Sequence, residues 1–239
     1  MKRSKIYENI IRGILDTVEY NEMFKDSENK IEFIEETIKK ICNDRYFKVY
    51  SRKYINRLAN YNNSNKFNET KIQILSKNIA IIKIKEFLFN TSYSIKYFLQ
   101  LNPQIDTLLL DLRNNSGGVF YETIKIASLF TTDEILLYLF DSENIYAVKS
   151  LDQYIGKYRI FFCMNEHTCS SAEILCGILK YSMNAIGIGK RSFGKDCITQ
   201  ILDIGIDDDI YSICYTKYKY TFKNGQKIEN GLEPTIWEE

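Results

Sequence analysis

Only 2 prolines and 11 glycines punctuate the 239 residues, too few for long linkers, so the chain reads as folded along most of its length. A single histidine, His167, leaves almost no scope for histidine-based acid–base chemistry. The 6 cysteines, Cys42, Cys163, Cys169, Cys176, Cys197 and Cys214, contain no C-x-x-C pair. They read as reduced, largely buried thiols of a cytoplasmic protein, not as a disulfide framework or a zinc site. No stretch nears 18 uncharged apolar residues, and Met1 to Ile10 has no continuous apolar run of the leader type. Neither membrane spanning nor export is expected. With 32 basic and 31 acidic side chains, the net charge of +1 gives no general pull toward nucleic acid or an anionic membrane.

An apolar content of 45% suffices for a substantial core. Ile6, Ile10, Ile11, Ile14 and Val18 trace one helical face, and Ile31, Ile34, Ile38 and Ile41 another. Such faces usually pack within their own chain; a homo-oligomer seam is the other use. The polar, turn-prone stretch Asn60 to Asn68 marks the boundary between an N-terminal helical region, 1–68, and a larger domain, 69–239. Strand patterns follow at Ile79 to Ile84, Leu108 to Leu112, Ile135 to Phe140, Ile145 to Val148, Ile160 to Met164 and Ile186 to Ile188, with helical patterns between several. That alternation predicts an α/β fold with a predominantly parallel, layered sheet. Asp209 to Phe222 alternates aromatic and polar residues and reads as a hairpin or edge strands.

Chemistry concentrates in two loops. Asn165-Glu-His-Thr-Cys-Ser-Ser-Ala-Glu173 follows the apolar run Ile160 to Met164 and precedes Ala172, Ile174, Leu175, Ile178 and Leu179 at helical spacing. Ser170 is therefore expected at a strand-to-helix turn, near unpaired backbone N–H groups and the positive helix end. A serine hydroxyl needs a base. His167, three residues away on the same turn, is awkwardly placed to supply one, whereas a buried lysine can, if its pKa falls from roughly 10.4. Lys195, after Phe193 and Gly194, is the candidate. In the second loop, Ile105-Asp-Thr-Leu-Leu-Leu-Asp-Leu-Arg113 runs into Asn114-Asn-Ser-Gly-Gly118. The paired glycines could aim N–H groups at a developing oxyanion or could simply close a βα unit.

Two other motif readings fail. Gly189-Lys-Arg-Ser-Phe-Gly-Lys195 matches seven positions of a phosphate-binding loop, but Asp196 stands where a Ser or Thr should ligate magnesium, and strand-like sequence follows where a helix is needed. Cys169 beside His167 could be imagined as a thiol nucleophile, but core packing explains it more simply.

Taken together, Leu110 to Gly118, Thr168 to Glu173, Gly187-Ile-Gly-Lys-Arg-Ser-Phe-Gly-Lys195 and Gly231-Leu-Glu-Pro-Thr235 resemble, in order, four motifs of the carboxyl-terminal processing, or tail-specific, serine peptidases. The resemblance covers roughly residues 76 to 239 and implies a crotonase/ClpP-like layered catalytic core, with 1–68 as a small helical annex. It implies a serine endopeptidase with Ser170 as nucleophile, Lys195 as general base and the backbone amides of Gly118 and Ser171 as oxyanion donors. Gly117, Glu173 and Ser192 would support the site. For Glu173, first-turn helix stabilisation is the alternative. The family's glutamine four residues after the lysine is displaced here, with Thr199 at that position and Gln200 one later, so either a bulge restores Gln200 to that role or Thr199 substitutes. Peptide or protein substrates are implied, and no metal or organic cofactor. Many relatives carry a PDZ domain for which the gap before the core is too short. That gap, with Thr199 and Tyr181, motivates the alternative of a catalytically weak peptide-binding module; maturation of one small precursor peptide is a narrower possibility.

Overall fold

The computed structural model describes residues 2–15, 27–51, 70–151, 153–206 and 209–238. Val18 and the stretch Asn60 to Asn68 lie outside the described residues. In chain order the elements are α1 (Lys2–Leu15), α2 (Ser27–Cys42), β1 (Lys48–Ser51), β2 (Thr70–Ser76), β3 (Ile79–Ile84), α3 (Thr91–Leu101), β4 (Thr107–Asp111) and α4 (Phe120–Phe130). There follow β5 (Ile135–Phe140), β6 (Ile145–Lys149), β7 (Arg159–Met164), α5 (Ser171–Met183), β8 (Ile186–Gly189), β9 (Cys197–Ile206), β10 (Asp209–Phe222) and β11 (Ile236–Trp237). They group into two compact units, residues 1–66 with 197–218, and residues 67–196 with 219–239.

In the first unit, the i,i+4 pairs Tyr7/Ile11 and Ile34/Ile38 form the buried stripes of α1 and α2, while Ile6 and Ile41 fall outside them and are exposed. These stripes pack with Phe47, Val49, Ile204, Ile213 and Tyr215 into one core. The Tyr7 and Phe47 rings stack with centroids 5.3 Å apart. Tyr7 donates its hydroxyl proton to buried Asp44 at 3.1 Å, and the same carboxylate accepts the Thr216 N–H at 2.7 Å and hydroxyl at 2.8 Å. β1 lies antiparallel to residues 211–214, from Lys48 opposite Cys214 to Ser51 opposite Tyr211. The tail expected as a hairpin or edge strands is one 14-residue strand, β10, paired with β9.

The second unit holds a six-stranded sheet in the order β11-β8-β7-β4-β3-β2. Its strands are parallel except for β2, which runs antiparallel along β3. Ile82, Leu108, Leu110 and Phe162 are fully buried, as apolar runs must be when helices cover a parallel sheet. Parallel pairing requires crossovers: α3 links β3 to β4, and α5 links β7 to β8. The β5–β6 hairpin and residues 219–222 of β10, which pair with β5, add antiparallel pairing that strand–helix alternation did not announce. Phe222 is fully buried against α5, where Gly177 leaves it room; a Cβ there would lie 1.9 Å from the ring. No disulfide joins any of the six cysteines, and Cys176 and Cys197 are buried. Among the described residues no helix is long and apolar enough to cross a membrane.

Candidate active site

Because β8, β7 and β4 are parallel neighbours, the loops leaving their carboxyl ends emerge side by side, where open α/β sheets place ligands. The loops are residues 112–119 after β4, 165–170 after β7 and 190–196 after β8. Backbone bonds join the first two: Leu112 donates to the Cys163 carbonyl at 2.9 Å and Cys169 to that of Asn115 at 2.9 Å. The buried Thr168 hydroxyl donates to the Leu112 carbonyl at 2.9 Å, and Asn165 Oδ1 accepts the Asn114 N–H at 3.0 Å. The third loop attaches through the Phe193 N–H, which donates to the Thr168 carbonyl at 3.0 Å.

Ser170 sits at the expected turn, as N-cap of α5, with φ 57° and ψ −123°. A non-glycine residue holds that conformation only where its surroundings impose it. Glu173, in the first turn of α5 and fully buried, is the main constraint. Its Oε2 accepts the Ser170 N–H at 2.8 Å and the Lys195 N–H at 2.9 Å. Those two nitrogens are thus separated by no more than the sum of these distances. Its Oε1 accepts the Ser192 hydroxyl at 2.5 Å and the Gly194 N–H at 2.6 Å. Burial pushes the Glu173 carboxyl above its ordinary range, against the opposing pull of these four donors. Ser192 is buried as well, and its oxygen accepts the Leu232 N–H at 2.7 Å. First-turn placement and a role in the site are therefore not alternatives for Glu173; one carboxylate ties α5 to the lysine loop.

Gly117 and Gly118 have φ of 112° and 127°, which glycine adopts at little cost. A Cβ on Gly117 would lie 2.9 Å from that of Ser170, and one on Gly118 would lie 2.4 Å from the Phe87 carbonyl oxygen. Phe87 donates to the Gly117 carbonyl at 2.9 Å and accepts the Val119 N–H at 2.8 Å, a short parallel bridge that leaves the Gly118 N–H outside it. Among the described residues, neither the Gly118 nor the Ser171 amide donates a hydrogen bond to the protein. The loop's conformation rests on Asn115, fully buried, whose Oδ1 accepts the Gly117 N–H at 2.8 Å and whose Nδ2 donates to the Ile84 carbonyl at 2.9 Å. Asn115, Thr168 and Asn165 escaped sequence reasoning. Their signal is faint: short polar residues at turn positions, indistinguishable in sequence from solvated loop residues.

Lys195 is half-buried and its backbone carbonyl accepts the Tyr220 hydroxyl at 3.2 Å. Thr199 and Gln200 lie on β9, in the first unit, where Gln200 Oε1 accepts the Tyr215 hydroxyl at 3.1 Å. The His167 ring is exposed, with Nε2 4.0 Å from Glu166. No helix follows Gly189 to Lys195; β9 begins at Cys197, as the failed phosphate-loop reading requires.

Comparison with known proteins bears on these loops. The model of the family described as peptidase family S41 matches residues 78–237. The tail-specific protease of Haemophilus influenzae is 26% identical over 163 residues, covering 66% of this chain and 24% of that protein. A carboxyl-terminal-processing protease of Picosynechococcus sp. is 30% identical over 129 residues, covering 53% of this chain and 31% of that protein. The chain thus spans about a quarter to a third of the length of these relatives. Among solved structures, a lipoprotein from Streptococcus agalactiae superposes over 96% of this chain and 83% of its own, with TM-score 0.72 and 18% identity. The photosystem II D1 C-terminal processing protease does so over 73% of this chain and 49% of its own, with TM-score 0.63 and 23% identity. At these identities the structural likeness concerns fold alone.

Proposed function

The chain belongs to peptidase family S41, and from that premise we propose that it is a serine endopeptidase in which Ser170 is the nucleophile and Lys195 the general base. The observation that carries this reading is the shared Glu173 oxygen, which holds the backbones of Ser170 and Lys195 together at the carboxyl edge of a parallel sheet. We read the fold as a crotonase/ClpP-like layered core within 69–239, with the helices of 1–68 as an annex. The scatter of cysteines supports a cytoplasmic setting.

In the reaction, neutral Lys195 Nζ takes the proton of Ser170 Oγ as that oxygen bonds to the substrate's peptide carbon. The carbonyl oxygen becomes an oxyanion, stabilised by the Gly118 and Ser171 amides, which have no acceptor among the described residues. As the tetrahedral species collapses, the C–N bond breaks and the Lys195 ammonium returns its proton to the departing amine. Water, deprotonated by Lys195, then attacks the acyl-Ser170 ester; the Oγ–C bond breaks, the Lys195 ammonium returns its proton to Ser170 Oγ, and the acid is released. Each step balances without metal or organic cofactor. The substrate is a protein or small precursor peptide, in keeping with the carboxyl-terminal processing named for the relatives.

The test is labelling with a fluorophosphonate. Wild type should form one adduct, on Ser170, with both Ser170→Ala and Lys195→Ala abolishing it; an adduct that persists in Ser170→Ala sinks the assignment.

A further inference from the structure

Helix α3 presents to solvent a face that solvent does not explain. Its inner face is buried through Ser92, Ile95 and Leu99, as expected of a helix covering a sheet. Its outer face carries Tyr93, 65% exposed, Tyr97, 52%, and Leu101, 63%, at four-residue spacing, so the three side chains stand in line. The Tyr93 and Tyr97 rings stack with centroids 6.1 Å apart. Of the 11 residues of α3, only Lys96 is charged, whereas exposed helix faces are normally lined with charges. Just before α3, Asn90, with φ 72°, turns the chain, and the residue ahead of it, Phe89, is a further exposed aromatic at 79%. Phe87, two residues earlier, forms the bridge with Gly118. An uncharged, largely aromatic strip thus begins beside the oxyanion glycines and runs away from them. A contiguous apolar strip of this kind marks an interaction surface.

We propose that the strip formed by Phe89, Tyr93, Tyr97 and Leu101 is a docking site for an apolar segment of the polypeptide substrate, remote from the bond to be cut. The inference rests on the peptidase reading for the identity of its ligand. Continuity with the Gly118 loop favours substrate as the occupant: Phe89 lies two residues from Phe87, which bridges Gly118, and α3 starts from the carboxyl edge of the sheet where that loop emerges. The scarcity of charge sets the chemistry, because on α3 an acidic segment would find only Lys96 and a basic one no carboxylate to offset its lost hydration. Tyrosines suit the role, offering wide contact at low cost in rotamer freedom.

The test separates docking from cleavage. In the Ser170→Ala background, fluorescence anisotropy follows a fluorescein-labelled peptide with Phe and Leu at alternate positions, beside a matched peptide with Ser in their place. The first should bind and the second should not. The double variant Tyr93→Ser/Tyr97→Ser should weaken binding by about tenfold, as expected from losing roughly 60 Å² of apolar contact. Tyr93→Phe/Tyr97→Phe should bind like the parent. Both positions are exposed, so folding should survive, as circular dichroism will report. With Ser170 intact, fluorophosphonate labelling of the serine double variant should match wild type. The proposal is overturned if the apolar peptide does not bind, if the serine double variant binds within about twofold of the parent, or if lost binding accompanies dissociation of a dimer in light scattering, which would assign the strip to a second copy of the chain. Absent labelling in wild type with intact, strip-dependent binding would remove the peptidase reading and leave the docking surface standing.

Discussion

Replacing Glu173 with glutamine keeps the shape of the side chain and changes only what its two terminal atoms can accept. Each carboxylate oxygen now receives two donors, so an NH₂ at either end faces groups that also donate. The less costly orientation points the NH₂ at Ser192, whose hydroxyl can turn to accept, and leaves the buried Gly194 N–H with no acceptor. One buried unsatisfied donor costs about 1–3 kcal/mol, and the bonds that remain lose the roughly twofold strengthening an ionised acceptor gives. The expected loss is about 2–4 kcal/mol, a large share of the 5–15 kcal/mol that typically holds a domain folded. Because Gly194 precedes Lys195, the same displacement should slow fluorophosphonate labelling by about a hundredfold, the usual consequence of moving a catalytic group by an ångström. Urea denaturation followed by circular dichroism reads the first quantity, and labelling well below the denaturation midpoint reads the second. A Glu173→Gln protein within about 0.5 kcal/mol of wild type, labelling within about threefold, would refute the claim that this carboxylate organises the site.

Gly118→Ala should cost several-fold more than an ordinary loop substitution, about 3 kcal/mol or more, because its Cβ meets the Phe87 backbone and its φ of 127° is hostile to side chains; thermal melts check this, and the variant should not label. Asn115→Ala strands the Gly117 N–H and the Ile84 carbonyl inside the protein, for an expected loss of about 2–4 kcal/mol by urea titration. Acid sensitivity should trace in part to Asp111 and Glu122. Burial alone would raise both carboxyls, but Arg113 and Lys83 around the first, and Lys125 with the Ser92 amide and hydroxyl around the second, hold each below its ordinary value. Folded pKa values below the unfolded ones mean stability present above the ordinary carboxylate range and lost as pH falls through the depressed values. Stability measured against pH should therefore fall less steeply on the acid side in Glu122→Gln than in wild type. Glu173, displaced upward, works in the opposite sense, its contribution being lost as pH rises through its elevated value.

Strands with a buried face were the most legible part of the fold, because short runs dominated by Ile, Leu and aromatic residues fit little else; Ile79–Ile84, despite Lys83, and Ile135–Phe140 have the bounds expected from sequence. The turn at Ser170 and the glycine turn before α4 were legible for a related reason, since a run of strand period meets one of helix period across a few small residues. Association of residues 197–218 with the N-terminal helices was not. The pairing of Lys48 with Cys214 joins positions far apart in the chain, and no local pattern encodes that choice. Asp44 and Asn115 were invisible for another reason: each acts through where it is buried, and a turn-forming acid or amide looks the same in sequence whether it faces water or holds three loops in place.

The unusual backbone at Ser170 belongs to the main chain and not to its hydroxyl. Conformations of this kind cost about 1–3 kcal/mol and recur where a fold keeps a reactive group poised. An alanine in that place inherits the burden unchanged, whereas a glycine sheds it and frees the turn to relax. On the proposed peptidase reading, the alanine protein is thus the faithful decoy for capturing an uncut peptide, and the glycine protein, though sturdier, portrays a site that has lost its set.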